Sequence, residues 1–400
     1  MTAPAQTVTH HAGEEKRAAA VACGTHALHD GYTDLIYVML PIWQGEFALS
    51  YAALGFMKTV FSGALAGFQI PSGFLAERFG APLILALGTA LAGLGYCFAG
   101  LSQGLAMLVA ALFVGGLGAS TQHPLASSLV ARAFAGPRSL KALGTYNFAG
   151  DIGKMTVPAA ASLMMIALPW REALGLLGGC GVLAAIVVFI AMPRFAADAP
   201  AAKSESRQRV PARFSQYAFP LLLSVGVIDS ATRMGFLTFL PFVLKAKGAG
   251  VPTIGFALTL VFAGGAAGKL VCAFIGARIG AVATVWLTEA LTAATIVALL
   301  PLPLEAALIL LPLVGIALNG TSSVLYGSVP DLVAPSRRQR AFGIFYTGTI
   351  GAGAISPGLY GLLGDAVGVP AAVTTLAVIV LATLPITLAL RSALAADKPV

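Results

Sequence analysis

The feature that most constrains this chain is a succession of apolar segments, each long enough to cross a lipid bilayer as a helix. About 20 apolar residues span the roughly 30 Å of hydrocarbon, and their backbone polar groups must be paired within the segment. Hydrophobic residues make up 58% of the 400 residues and charged residues only 10%. A water-soluble core cannot hide that much apolar surface. The sequence therefore predicts an all-α integral membrane protein.

Twelve such segments are predicted, in two sets of six. The first set comprises 19–43, 50–75, 81–100, 104–131, 139–167 and 173–192, and the second comprises 215–244, 252–277, 281–300, 304–331, 339–364 and 368–391. A polar stretch separates the two sets. The predicted organisation is an N-terminal tail (1–18), a six-helix half (19–192), a linker (193–214), a second six-helix half (215–391) and a C-terminal tail (392–400).

The two halves also resemble each other in sequence. Asp30 aligns with Asp229, and Pro158 with Pro357, at the same offset. Two more pairs align when the offset between the halves is one residue larger, namely Gly55 with Gly255 and Gly80 with Gly280. Matches that keep nearly one offset over several spans predict two pseudo-symmetric halves around a central site.

The distribution of Lys and Arg predicts the orientation of the spans. Of the 24 Lys and Arg residues, only Arg171, Lys245 and Lys247 fall on the outer side when both termini are cytoplasmic. Basic residues that flank membrane spans are retained on the cytoplasmic side. The net charge of +8 is therefore a topology signal for a multi-pass protein of the inner membrane, and it does not indicate a nucleic-acid partner.

The loop after the second predicted span has a recognisable pattern. Its sequence GFLAERFG (73–80) resembles the loop of the major facilitator superfamily. The resemblance implies a monomeric secondary transporter with twelve helices, whose two halves rock about a midplane site. It also implies a gating loop that contains Gly73, Glu77, Arg78 and Gly80.

Two further segments resemble the fosmidomycin-resistance-like exporters of that superfamily. The first span has His26, Asp30 and Pro41 at that group's spacing, and GLGASTQHP (116–124) resembles its segment ending in His-Pro. The sequence departs from the pattern at Leu125, where that group has an acidic residue. The resemblance favours export over uptake.

Ionisable groups inside the spans are costly in lipid, so they are expected to face a cavity or a partner. His26, Asp30 and Asp34 recur every four residues and share one face of the first span. The rise of a helix places His123 at about the depth of His26. We assign proton coupling to these four residues, because carboxylate and imidazole groups can exchange protons.

A second group is predicted to bind substrate. Asn147, Asp151 and Lys154 share one face of the fifth span, and Asp229 lies four residues before Arg233. The other candidates are Lys58, Gln122, Asn319 and Tyr326. Asp151 with Lys154, and Asp229 with Arg233, could equally be structural pairs. For Lys269 and Glu289 a structural ion pair is favoured.

The function predicted from these residues is proton-coupled export of a small anionic or zwitterionic compound or drug, without a cofactor. One alternative is uptake of an organic anion, by symport or facilitated diffusion. A more remote alternative is an intramembrane enzyme with His26, Asp30 and His123 as metal ligands. The four cysteines have no metal-binding spacing, and no metal site is predicted.

Overall fold

The computed structural model describes residues 12–134, 137–193, 217–334 and 337–395. Most of the predicted linker and the ends of both tails lie outside these ranges. The described residues form fifteen α-helices: α1 Ala12–Phe47, α2 Tyr51–Gly67, α3 Gln69–Phe79, α4 Ala81–Gly100, α5 Leu105–Ala119, α6 Ser127–Ala133, α7 Pro137–Ala167, α8 Trp170–Ala191, α9 Ala218–Ala246, α10 Val251–Ile279, α11 Ala281–Leu299, α12 Leu304–Ser328, α13 Arg338–Val367, α14 Val369–Val380 and α15 Thr383–Ala395. The all-α prediction is confirmed. Helix α1 begins at Ala12, within the segment 1–18 that is predicted to be the N-terminal tail.

Eight helical segments of the described chain are long and apolar enough to cross a membrane. The pair α2 and α3, bent by 41° between Gly67 and Gln69, adds a ninth. Helices α1, α7 and α13 lie where the remaining three spans were predicted and contain 36, 31 and 30 residues, but they are less apolar. All three line the cavity described below. Polar side chains along a cavity lower the mean hydropathy of a helix without exposing those groups to lipid.

Corresponding helices of the two halves end in the same way, at a glycine. Gly80 ends α3 with a φ of 90°, and Gly280 ends α10 with a φ of 85°. Glycine adopts this left-handed region without the steric penalty that other residues incur. These two glycines were aligned in the sequence, so the repeat extends to backbone conformation.

Two helix seams join the halves, α2 against α13 and α7 against α10. In the first seam Gly55 lies against the backbone carbonyl of Pro357, and in the second Gly255 lies against Ser162, one turn after Pro158. Residues that align in the sequence therefore occupy corresponding places in the two seams. The close approach requires glycine, because a side chain would overlap the opposing helix.

The distribution of buried apolar residues distinguishes the two ends of the molecule. One core spans both halves and includes Trp43 and Met57 from the first half and Phe239 from the second. At the other end each half has its own core, one around Leu129 and one around Leu325. The halves are closed against each other at the first end and separated at the second. A cavity lies between them.

Candidate functional site

The cavity has a volume of about 700 Å³ and is lined by both halves. Its wall contains seven formally charged side chains, namely Asp30, Asp34, Lys58, Asp151, Lys154, Arg233 and Lys269. Four are cations and three are carboxylates, so before the histidines are counted the wall has a small excess of positive charge. A small solute with at least one acidic group suits this lining.

Asp30 is the centre of a cluster formed by three helical segments. Its Oδ1 lies 3.4 Å from Nε2 of His26 on the same helix and 3.6 Å from Nε2 of His123. Its Oδ2 lies 3.3 Å from Nζ of Lys154 on α7. Asp30 is only 7% exposed, which makes these contacts its main source of charge compensation.

The surroundings of His26 determine which of its nitrogens holds a proton. Nδ1 lies 2.7 Å from the backbone carbonyl of Tyr146, whose ring stacks on the imidazole at 4.0 Å. A carbonyl oxygen only accepts hydrogen bonds, so Nδ1 must be the donor. The buried Nε2 then faces a carboxylate oxygen of Asp30, which is also an acceptor. The two atoms are 3.4 Å apart, and Nε2 has no hydrogen-bond partner among the described residues.

His123 reaches the same carboxylate because its helix is locally widened. Residues Gln122–Ala126 form a single π-helical turn between α5 and α6. Pro124 lies within this turn and has no backbone N–H to donate. The imidazole of His123 meets that of His26 edge to face, with ring centroids 5.2 Å apart. π-helical turns are frequent at functional sites, where they redirect a side chain.

Helices α1 and α7 approach closely beside this cluster. Gly153 lies against the backbone carbonyl of Ala27. A methyl group at Gly150 would lie 2.7 Å from Oδ2 of Asp30 and 2.8 Å from Nε2 of His26. The two glycines therefore bring α7 near enough for Lys154 to reach Asp30.

Two of the ion pairs considered from the sequence are wrong. Asp151 pairs with Lys269 of the other half, at 2.6 and 2.8 Å, and does not pair with Lys154. Lys269 forms no ion pair with Glu289, whose carboxyl group lies beside Asp229. Spacing along one helix could not reveal a bridge between α7 and α10, because that bridge depends on how the halves pack.

Lys58 and Asp34 both lie in the cavity wall, where ionisable groups inside the spans were expected. Lys58 is 1% exposed, donates a hydrogen bond to the carbonyl of Thr33 at 2.7 Å and lies 4.5 Å from the ring centroid of Tyr37. Asp34 is 6% exposed, and no cation of the described residues lies within ion-pair distance of it. Asp34 differs in this from Asp30 and Asp151, which both form ion pairs.

The remaining substrate candidates fall into two groups. Asn147, Asn319 and Tyr326 line the cavity. Asp229 and Gln122 do not, which corrects their assignment as direct substrate contacts. Gln122 is fully buried, and its Nε2 lies 3.5 Å from the hydroxyl of Tyr146. Asp229 is 5% exposed, with its Oδ2 3.9 Å from Nη2 of Arg233, so the intrahelical pair is present.

The predicted gating loop is mostly helical. Gly73 lies inside α3, and the turn comes at Gly80. Glu77 and Arg78 are exposed, and within the described residues neither forms an ion pair. The guanidinium of Arg78 lies 5.3 Å from the ring centroid of Phe79. Both charged groups are thus free to take partners in another arrangement of the halves.

Three ligand atoms of the cluster could approach a metal ion. One atom each from His26, Asp30 and His123 lie within 4.8 Å of one another. The Nδ1 contact of His26 with a carbonyl is also typical of metal-bound imidazole. However, the ammonium group of Lys154 already neutralises the carboxylate and would repel a cation at this place.

Sequence reasoning missed two residues of the site. Lys269 was considered only as a structural partner, yet it lines the cavity and bridges the halves. Tyr146 was not considered, although it orients His26 through its carbonyl and its ring. Its place directly before Asn147, on the helix with Asp151 and Lys154, was the available signal.

Comparison with known proteins gives a consistent result. The family model of the Major Facilitator Superfamily matches residues 22–228 and 222–399. The fosmidomycin resistance protein of Escherichia coli K12 is 25% identical over 350 residues, covering 85% of this chain and 84% of that protein. The multidrug resistance protein MdtL of E. coli O6:K15:H31 is 24% identical over 53% of each chain.

Solved structures share the fold. A bacterial homologue of the human lysosomal transporter Spinster, in an inward-facing and occupied conformation, superimposes with a TM-score of 0.81 at 15% identity, covering 98% of this chain and 100% of that one. The nucleoside transporter NupG gives a TM-score of 0.72 at 14% identity, covering 96% and 99%. These relatives are transporters, and enzymes are not among them. With its helical fold and its family match over nearly the whole length, this multi-pass membrane protein belongs to the Major Facilitator Superfamily of transporters.

Proposed function

We propose that the protein exports a small zwitterionic or anionic compound across the inner membrane, in exchange for protons and by alternating access. The observation that supports this most directly is the cluster at Asp30. Its carboxylate contacts two imidazoles and one ammonium group within the cavity wall. A carboxylate with this surrounding can release a proton when a substrate group takes its place and bind one again after the substrate leaves.

Exchange requires that the proton and the substrate exclude each other at one group. A positively charged end of the substrate would compete with the proton for Asp30 or Asp34. An acidic end would pair with the nearby cations, Lys154, Lys58 or Arg233, which line the same cavity. A compound with both kinds of charge therefore fits the wall and the exchange together.

The closed and open ends of the molecule support the alternating-access part of the proposal. With both termini cytoplasmic, the end without a shared core faces the cytoplasm, so the described conformation is inward-facing. The halves would then rock so that the core at the outer end opens and the cytoplasmic ends meet. Glu77 and Arg78, which are exposed here, would take partners in that second arrangement.

Fosmidomycin, a small phosphonate, is the first compound to test, because a relative that covers 85% of this chain is named for resistance to it. Thermal-shift measurements on the purified protein, over a panel of phosphonates and zwitterions, identify further ligands through their stabilisation of the folded state. The best ligand is then used for transport by everted membrane vesicles under a proton gradient.

We expect Asp30→Asn and Asp34→Asn each to lower gradient-driven accumulation by about 5- to 150-fold, the range of a coupling free energy of about 1–3 kcal/mol. Glu305→Gln serves as the control, because Glu305 is an exposed acidic residue at the start of α12. If both aspartate variants accumulate substrate as the wild type does, the proton role of this cluster is wrong.

The cations of the cavity support a second candidate function, the uptake of an organic anion. An anion that binds beside Asp30 without a positive group of its own favours proton binding there, so anion and proton would move together. A pH-sensitive dye inside vesicles distinguishes the two functions. Under export, outward movement of substrate brings protons in, whereas under symport protons and substrate cross in the same direction.

A further inference from the structure

Outside the cavity wall, two carboxyl groups of the second half lie in contact. Asp229 on α9 and Glu289 on α11 are in side-chain hydrogen-bond contact and are 5% and 1% exposed. Neither residue lines the cavity. Two carboxylates in such contact and out of water cannot both be ionised without a large cost.

The charged groups around this pair supply too little compensation for two negative charges. On the same helix, Arg233 places Nη2 at 3.9 Å from Oδ2 of Asp229. Helix α12 contributes the hydroxyls of Thr321 and Tyr326. Among the described residues, α10, α13, α14 and α15 bring no titratable side chain to the pair, and on α1 both Asp34 and Tyr37 interact with Arg233.

Buried polar atoms without a hydrogen-bond partner occur on the same two helices, α9 and α11. The Oε1 atom of Glu289 is buried without a hydrogen-bond partner. The hydroxyls of Thr232 and Thr292 are also buried and unpartnered, and their residues are 0% and 1% exposed. Each threonine lies three residues after one of the two acids, so it shares a helix face with that acid. The pair is therefore set among groups that can accept or donate one more hydrogen.

We infer that Asp229 and Glu289 share one proton, and that this pair is a second proton-binding site, separate from the cluster at Asp30. The protonated carboxyl donates a hydrogen bond to the ionised one, and the single remaining negative charge faces Arg233. The two sites lie in opposite halves, and Glu289 reaches the pair from α11, a helix absent from the cavity wall.

The pair is connected to the cavity through Arg233. The guanidinium group faces Asp229 on one side and lines the cavity on the other. When the pair holds its proton, its one negative charge attracts Arg233 less than two would, and the guanidinium is available to an acidic group of the substrate. By linkage, such a group on Arg233 favours the proton on the pair. This consequence rests on the proposed role of Arg233 as a substrate contact.

Infrared spectroscopy of the purified protein tests the shared proton without any substrate, because the carbonyl stretch of a protonated carboxyl differs from that of a carboxylate. We expect a protonated-carboxyl band at neutral pH that Glu289→Gln abolishes and that Asp30→Asn leaves in place. Asp229→Asn should abolish the same band, and it replaces Glu289→Gln if that variant does not fold. A band that survives both substitutions, or is absent from the wild type, overturns the inference.

The role of Arg233 is tested by following the band as the pH is raised. Arg233→Gln removes the positive charge that favours ionisation of the pair, so the band should persist to higher pH than in the wild type. Loss of the band at the same pH in both proteins overturns the connection to the cavity. Neither result depends on transport, so failure of the export proposal and failure of the shared proton are distinguishable.

Discussion

At the scale of single residues, the site is organised by the compensation of buried charge. Asp30 has contacts from α1, α7 and the π-helical turn, whereas Asp34, one helical turn further on, has no ion-pair partner among the described residues. The two carboxylates share a helix face but differ in surroundings. In the proposed exchange, such a difference would let one carboxylate hold a proton or a cation while the other receives the substrate.

The pair formed by Asp30 and Lys154 should show strong coupling in stability. Lys154→Gln leaves the buried carboxylate with less compensation, and Asp30→Asn leaves the ammonium group without its anion. We expect a coupling free energy of about 1–3 kcal/mol between the two substitutions, so that the double variant is more stable than the sum of the single effects predicts. Thermal unfolding in detergent measures it. Lys141→Gln, at an exposed site of the same helix, should show no coupling with Asp30→Asn.

At the scale of helices, close approach determines which polar groups can meet. The two glycines of α7 that face α1 bring the backbones together, and the π-helical turn directs His123 towards Asp30. The three longest helices of the described chain, α1, α7 and α13, are less apolar than the eight segments long and apolar enough to span a membrane, and all three line the cavity. The polar side chains that line the cavity therefore lower the apolarity of the helices that carry them.

Gly150→Ala should separate the members of the cluster. Its methyl group would overlap both Asp30 and His26, and overpacking of this kind typically costs about 1–3 kcal/mol. Gly144→Ala is the matched control, because no atom lies within 4 Å of a methyl group there and alanine favours the helix. We expect lower thermal stability for Gly150→Ala and unchanged or higher stability for Gly144→Ala. Equal melting temperatures for the two variants would contradict the packing explanation.

At the scale of the whole molecule, a cross-half contact joins the halves at the end where they share a core. The carboxylate of Asp365, near the end of α13, accepts hydrogen bonds from the backbone N–H groups of Tyr51 and Ala52 at 2.8 and 2.9 Å. These groups belong to the first turn of α2, which has no partners within its own helix for them. A carboxylate at a helix N-terminus is also favoured by the helix dipole. Asp365 therefore holds the two halves together at this end.

Asp365→Ala should shift the molecule towards the outward-open arrangement. The loss of a helix cap costs about 1 kcal/mol, which corresponds to roughly fivefold in the equilibrium between the two arrangements. A cysteine at Met57, in the shared core, reports opening through its rate of labelling by an impermeant thiol reagent in a protein without other cysteines. We expect about fivefold faster labelling with Asp365→Ala and no change with Glu305→Gln. An unchanged rate in both would show that Asp365 does not hold the outer end closed.

The sequence by itself determined the class of the protein, its helices and the helix faces on which the polar residues lie. Composition decides between lipid and water as the solvent, and a period of 3.6 residues places His26, Asp30 and Asp34 together whatever their partners. The alignment of Gly55 with Gly255 likewise anticipated two related halves. These are local or summed properties, which is why they could be predicted without a structure.

Only the tertiary structure decided which charges meet. Lys154 could reach Asp151 along its own helix, yet it contacts Asp30, because α1 and α7 pack closely beside Gly150. Asp151 instead meets Lys269 across the seam between the halves. Within a helix, spacing allows several pairs, and the free energy of a buried charge depends on the nearest counter-charge in space. That distance is a property of helix packing, which the order of residues along the chain does not contain.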